Sequence, residues 1–536
     1  MYGPVRRPQS SRYIQCRRCR KQAFKHMRTR ATTPLLLTPA LLSGAMMIVI
    51  FPRAGLDALA WVCLVPLIVM MLWRPQASPV LQGIAAGTLY HIGLVYWVVV
   101  SMHTYGGVPR PLAALLLVLL CAVLSAYVAL PLWCSSYIHE RTGIRITLTL
   151  PLCWVAAEHL KSWLFTGFPW ELLGYSQFEN LRLIQIADIT GVYGLSFLIV
   201  SANCAIAACM HALFTRRRPP VCELCWALAL VGAALLYGRM RVQEFRAPEG
   251  PRFTALLVQP NIAQDLKWDP AFLDETLRRL FSLSTQARPQ PADLIIWPES
   301  ATPFFFQSEP GYQAHVVGTV QRSGSRLLFG SPSFEESASG LRYFNSAFML
   351  ETDGRVAGRY DKLHLVPWGE YVPLQRLFPF ISRLVAGIGD FSPGAGIRLL
   401  PAGQTALAPL ICYEIIFPSL TRMFVRLGGT CLVNITNDAW FGRTCAPHQH
   451  LSMAVLRAVE NKRFLLRAAN TGISAVIAPT GQILAQTDIF TEAALPAEVT
   501  AMHEMTLYTR IGDIFAWLCV LACAALLLAA RRRRID

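Results

Sequence analysis

The chain has 536 residues, of which 54% are hydrophobic and 15% charged, with a mean hydropathy of +0.40. That balance excludes an ordinary pair of soluble domains, in which about a quarter of the residues would be charged, and points to an integral membrane protein. The formal net charge of +17 raises nucleic-acid binding, but the basic residues flank apolar runs instead of lining one face of a soluble fold, so no nucleic-acid partner is expected.

Residues 1–30 form a basic tail with ten Lys and Arg and no acid. The apolar run that follows is long enough to span and lacks a small-residue cleavage site, so it reads as retained and not as a secretory signal. Crossing a hydrocarbon core takes about 20 helical residues. Eight runs qualify, at 34–52, 54–73, 80–101, 111–138, 147–165, 192–210, 221–238 and 514–530. The fifth contains Glu158, His159 and Lys161. Glu158 and Lys161 fall three apart and are expected to pair, because charges inside a membrane rarely stand alone. Basic residues follow the even-numbered runs: Arg74, then Arg141 and Arg145, then 215–218, then 531–534. Positively charged connections stay in the cytoplasm, where they rest against anionic membrane lipids. Both termini are therefore expected inside and residues 240–510 outside, which in a bacterium with two membranes means an inner-membrane protein with a periplasmic domain. The division expected is a tail (1–30), a seven-helix part (31–240), an aqueous domain (241–508), and a last helix with a basic end (509–536).

Within the aqueous domain, β-rich runs lie at 253–262, 292–300, 326–334, 343–350, 405–415, 430–438 and 473–484. Helical patterns lie at 270–286 and 450–468. Helix layers over a central sheet are expected.

Most of the fifteen cysteines sit in apolar runs, where Cys acts as a small hydrophobe. The pairs at 16–19 and 222–225 have metal-like spacing, but one lies in the tail and the other at a helix end, so neither a metal nor a cofactor is expected. The domain holds Cys412, Cys431 and Cys445, and a bond between the last two stays open. His448 and His450 are spaced like metal ligands but read as structural hydrogen-bonding groups.

Three segment ends carry chemistry. The run "IIWPES" stops at Pro298 and presents Glu299, a carboxylate that burial could turn into a base; alone it would read as a helix cap. In "YDKLHLVPWGEYVP", Lys362 sits among apolar residues eight positions before Glu370. Its ammonium could hold an oxyanion, or it could simply pair with Asp361 or Glu370. In "LICYEIIFP", Cys412 ends a strand, the Tyr413 N–H is available to an oxyanion, and Glu414 follows.

The order Glu299, Lys362, Cys412 resembles the nitrilase, or carbon–nitrogen hydrolase, superfamily. That resemblance implies an αββα sandwich and a Glu-Lys-Cys triad, with Glu299 the general base, Lys362 the oxyanion stabiliser and Cys412 the nucleophile. With "VQPNIAQDLKW", "WPES", "NDAWFG" and residues 447–472, the chain is more closely similar to the apolipoprotein N-acyltransferase family. The implied fold is an eight-helix integral membrane α-helical bundle with an inserted α/β nitrilase-like αββα sandwich domain. The implied reaction moves an acyl chain from a phospholipid, through a thioester, to the α-amine of a diacylglyceryl apolipoprotein. Glu370, Tyr413 and Glu414 match supporting positions, the two glutamates orienting or tuning Lys362, and Trp268 matches a substrate-binding position. A membrane-tethered amidase hydrolysing a carbon–nitrogen bond is the alternative. Two apolar stretches, 301–307 and 374–389, are read as arms that dip into the lipid interface.

Overall fold

The computed structural model describes residues 33–245, 249–285, 291–337, 340–371 and 391–533. The basic tail, the cysteine pair at 16–19 and the second expected arm at 374–389 lie outside them.

The apolar first part folds into helices α1 (Thr33–Val49), α2 (Val65–Trp73), α3 (Pro79–Val95), α4 (Arg110–Thr142), α5 (Ile146–Lys161), α6 (Val192–Phe214) and α7 (Val221–Glu244). Among the described residues, four helices are long and apolar enough to cross a membrane: α4, α6, α7 and the C-terminal Ile514–Arg532. A fifth span results if α3 and the following Trp97–Tyr105 count as one helix bent by 51°. Helix thus occurs at each of the eight expected places, but α1, α2 and α5 fall short of span length, with 17, 9 and 16 residues. Glu158 and Lys161 bond to others instead of to each other. The Glu158 carboxylate accepts from the Leu173 N–H (2.8 Å) and the Trp154 indole (3.1 Å), while Lys161 donates to the Trp170 carbonyl (3.0 Å).

The α/β domain that follows α7 is built on two six-stranded sheets. One has the order β12-β1-β2-β3-β4-β5 and the other β11-β10-β9-β8-β7-β6. The first comprises β1 (Arg252–Gln259), β2 (Leu294–Ile296), β3 (Arg326–Ser337), β4 (Gly340–Leu350), β5 (Val356–Asp361) and β12 (Ala493–Thr500). The second comprises β6 (Leu400–Ala402), β7 (Thr405–Ile411), β8 (Cys431–Thr436), β9 (Leu465–Ala469), β10 (Ala475–Ile477) and β11 (Ile483–Gln486). Side chains alternate across a strand, and the first sheet uses both faces. Leu257, Ile296, Leu328 and Met349 turn inward to the core shared with β7 and β8. Their neighbours Leu256, Ile295, Phe329 and Phe348 turn outward to α8 (Leu273–Thr285) and α9 (Pro310–Ser323). On the other side, α10 (Pro418–Arg426) and α11 (Ala446–Asn461) accompany the second sheet, and α12 (Ile514–Arg532) returns to the membrane helices.

Two further sequence expectations are corrected. The helix expected over 450–468 stops at Asn461, because Lys462 takes a left-handed φ of 47°, and residues 465–469 pair with β8 as a parallel strand. The apolar stretch 301–307 is no lipid arm: Phe304 and Phe306 are 4% and 1% exposed and pack into the core under α9, while Phe305 meets Phe334 edge-on and lies tilted against Tyr343. The inner core itself runs unbroken from Met47 of α1 to Val433 of β8, so the domain is packed onto the helices and not merely tethered to them.

Candidate active site

Glu299 follows β2, Lys362 follows β5 and Cys412 follows β7. The turns leaving these strands bring the three residues together, as expected where ligand sites form at the carboxyl ends of strands. Both Glu299 and Cys412 sit at sharp turns: Ser300 has φ 46° and Cys412 φ 52°. A left-handed non-glycine residue costs roughly 1–3 kcal/mol and persists only when its surroundings enforce it. At Cys412 the neighbour Glu414 does part of that. Its buried carboxylate accepts the N–H groups of Ile411 (2.8 Å), Leu363 (2.7 Å) and His364 (3.1 Å) and the Tyr360 hydroxyl (2.8 Å). Glu414 therefore clamps the cysteine turn to the lysine segment by their backbones.

Lys362 is 1% exposed. Its ammonium donates to Glu370 Oε1 at 2.9 Å and lies 3.5 Å from Glu299 Oε1. Burial opposes the positive charge, but Glu370 and then Glu299 outweigh it and raise the lysine pKa. Asn345 Nδ2 donates to Glu299 Oε1 and Glu370 Oε1, 2.8 Å from each. The second Glu299 oxygen accepts the Asn437 N–H at 2.9 Å, and the Glu299 carbonyl accepts from Lys267 at 2.9 Å. Burial pulls the Lys267 pKa down to about 8, against Glu299.

The Cys412 thiol is 8% exposed. Burial raises its pKa, Glu299 raises it further, and Lys362 lowers it. The resting group is therefore a thiol and not a free thiolate, with an ammonium and a carboxylate both acting on it. Such a set can pass the thiol proton to the carboxylate as the sulfur attacks, and can hold a developing oxyanion against a fixed positive charge.

The sequence-selected residues Glu299, Lys362, Cys412 and Glu370 meet here, and Glu414 supports them from behind. The Tyr413 hydroxyl turns away and donates to the Gly167 carbonyl at 3.3 Å. Its ring and Phe417 pack about His364, and a backbone hydrogen bond joins His364 to Thr166. The turn between α5 and α6 thus forms one wall. Trp268 is partly buried, and the contact with Glu299 is made by its neighbour Lys267. Cys431 and Cys445 are free thiols, and Cys222 and Cys225 are free and exposed. Among the described residues no group of side chains could hold a metal. His450 hydrogen-bonds to Asp438 and to the Cys412 carbonyl, in keeping with the structural reading. Sequence reasoning missed Asn345, Lys267, Asn437, Asp438, Arg467, which donates to Asp438 at 2.7 Å, and Asn434. For Asn434 a clue stood in plain view, its place inside the apolar run "CLVNIT", since a buried amide needs partners.

Residues 255–505 match the carbon–nitrogen hydrolase family model, which makes this a hydrolase-type domain carried on membrane-type helices. Residues 43–205 match the model of the apolipoprotein N-acyltransferase N-terminal domain. The chain belongs to the apolipoprotein N-acyltransferase family. It is 44% identical over 501 residues to the apolipoprotein N-acyltransferase of Geobacter metallireducens, covering 92% of this chain and 95% of that one. It is 35% identical to that of Nitrosomonas europaea, covering 87% and 92%. A solved amidase of the nitrilase superfamily from Nesterenkonia AN1 is 20% identical over 51% of this chain and 98% of its own, with a TM-score of 0.38.

Proposed function

We propose that the chain transfers an acyl chain from a membrane phospholipid, by way of Cys412, to the α-amine of a diacylglyceryl-cysteine at the N-terminus of an apolipoprotein. Glu299 takes the thiol proton as sulfur attacks the ester carbonyl. The charge that develops on the carbonyl oxygen is met by the Lys362 ammonium and the Tyr413 N–H. Collapse breaks the ester bond, and Glu299 returns the proton to the leaving glycerol oxygen, so that lysophospholipid departs and a Cys412 thioester remains. The lipoprotein amine then attacks the thioester and gives its proton to Glu299; an amide forms and the thiol is restored. Glu370 and Asn345 keep Lys362 and Glu299 in place, and Trp268 borders the lipid.

The observation that carries this reading is the buried ammonium and carboxylate acting together on the Cys412 thiol, in a domain whose site is walled by a turn of the membrane helices. Both substrates are lipids, so a site at that junction suits them. The proposed topology has eight spans, both termini in the cytoplasm and the domain on the periplasmic face of a bacterial inner membrane. Membrane helices packed into the domain core serve no purpose for an amidase acting on a small soluble amide, which is why that alternative is not favoured.

The test supplies purified protein with phospholipid and a diacylglyceryl lipopeptide. Equal amounts of triacylated lipopeptide and lysophospholipid are expected, with Cys412→Ala and Glu299→Gln inactive. Steady release of free fatty acid without any lipopeptide would instead identify a hydrolase.

A further inference from the structure

Behind the thiol lies a buried polar set that the steps above leave without a task. His450 on α11 is 1% exposed, and its Nε2 lies 3.2 Å from the carbonyl oxygen of Cys412. Asn434 Nδ2 reaches the same oxygen at 3.4 Å. Across the ring, Nδ1 lies 3.0 Å from Asp438 Oδ1 and 3.1 Å from an Arg467 guanidinium nitrogen. Arg467 also donates to Asp438 Oδ2 at 2.7 Å and to Asn434 Oδ1.

One of these partners fixes the proton that matters. A carbonyl oxygen only accepts, so Nε2 carries a hydrogen. Nδ1 stands between an acceptor, Asp438 Oδ1, and a donor, the Arg467 guanidinium. Whatever Nδ1 carries, the ring presents Nε2–H to the Cys412 carbonyl.

The consequence passes through one peptide unit. A trans peptide is planar, so the Cys412 carbonyl and the Tyr413 N–H point in opposite directions. Two donors on the carbonyl fix where that N–H points, and by polarising the shared amide they strengthen it as a donor. They also hold Cys412 at its φ of 52°, a conformation that needs outside enforcement. We propose that His450 is a positioning residue for the reaction: backed by Arg467 and Asp438, it aims and polarises the Tyr413 N–H at the acyl oxyanion through the Cys412 carbonyl. The inference rests on the reading of Cys412 as the acyl carrier.

The test uses the full-length protein in detergent micelles, with a phospholipid carbon-13-labelled at its ester carbonyls as the probe. His450→Leu is expected to form the acyl-enzyme ~10- to 100-fold more slowly, with KM for the phospholipid within ~2-fold of wild type. Its acyl-enzyme carbonyl should stretch at a higher frequency, because a weaker oxyanion donor polarises it less. His450→Gln keeps an N–H donor and is expected to recover most of the rate and of the frequency. Alkylation of Cys412 by iodoacetamide develops no oxyanion and should proceed at the wild-type rate in both. Should the leucine variant not fold, nitrogen-15 spectra of the wild-type ring decide, and a proton on Nε2 is expected. Wild-type acylation by His450→Leu, an unmoved carbonyl frequency, alkylation slowed in step with acylation, or a ring without a proton on Nε2 would each overturn the proposal. Absence of a Cys412 thioester in the wild-type protein would overturn the functional reading beneath it instead.

Discussion

Asn345 shows how much of the site depends on a residue with no chemistry of its own. Its amide nitrogen is shared by the two carboxylates that face Lys362. Without that donor both carboxylates turn toward the ammonium, and Glu299 is drawn from the thiol. Asn345→Leu is expected to slow acyl-enzyme formation by ~100-fold, comparable to the loss of one preorganised hydrogen bond, while iodoacetamide still labels Cys412. Asp438 gives a pH prediction at the same scale. Arg467 and His450 outweigh burial and hold its carboxyl at about 2, below the unfolded value of about 3.9. A depressed carboxyl stabilises the fold above its unfolded pKa, and that contribution is lost as pH falls from about 4 through about 2. Thermal unfolding should lose stability across that window, and Asp438→Asn should flatten the slope there. Glu299, Lys362, Cys412 and Glu370 were legible because a rare residue order resembles a known family. Asn345 and Arg467 were not: a buried amide or guanidinium is chosen by what surrounds it in space, and no spacing in the chain records that.

Among elements, the strands read well and their ends less so. Runs of β-branched and aromatic residues marked β1, β3, β4, β7 and β8 to within a few residues, since burial on both faces leaves an apolar signature. The run after α11 misled because "LLRAA" suits helix and strand alike, and only pairing with β8 decides. The phenylalanines at 304–306 misled for a related reason: apolar residues next to a site suit a lipid arm and a core equally, and α9 settles the matter by covering them. One element also controls the placement of Glu299, the proposed base. Gly330 of β3 passes so close beneath Glu299 that an added Cβ would lie 2.7 Å from the Glu299 Cα and 2.5 Å from the Ser300 nitrogen. Backbone cannot yield as a flexible side chain can. Gly330→Ala is expected to displace Glu299 and lower acyl transfer at least ~10-fold; unchanged kcat and KM would show that the turn has room to give.

Across the whole molecule, the domain and the membrane helices share buried charges as well as a core. Arg457 on α11 donates to Glu460 (2.8 Å) and to the Tyr175 hydroxyl (2.9 Å), and Glu460 accepts the N–H of Val192 at the start of α6. Lys462 reaches Gln185 at 2.7 Å and Asp188 at 3.5 Å. Arg457→Met would leave Glu460 buried without its cation, a loss of roughly 3–5 kcal/mol. It should unfold domain and helices in one transition at a lower temperature; an unchanged Tm would mean that the two parts are held by apolar packing alone. Composition revealed that the chain had a membrane part and an aqueous part, but not that they form one body, because an interface leaves no periodicity in either. That joint body places the thiol beside the α5–α6 turn, where an acyl chain can be delivered.

In the proposed reaction Cys412 carries the acyl group. Intact-protein mass spectrometry of the full-length enzyme, quenched in acid after incubation with phospholipid alone, tests it most directly. One added acyl mass is expected that maps to Cys412, is absent from Cys412→Ala, and disappears on addition of a diacylglyceryl lipopeptide as triacylated product forms. Triacylated lipopeptide made by Cys412→Ala, or by wild-type protein with no acyl mass on Cys412, would contradict it.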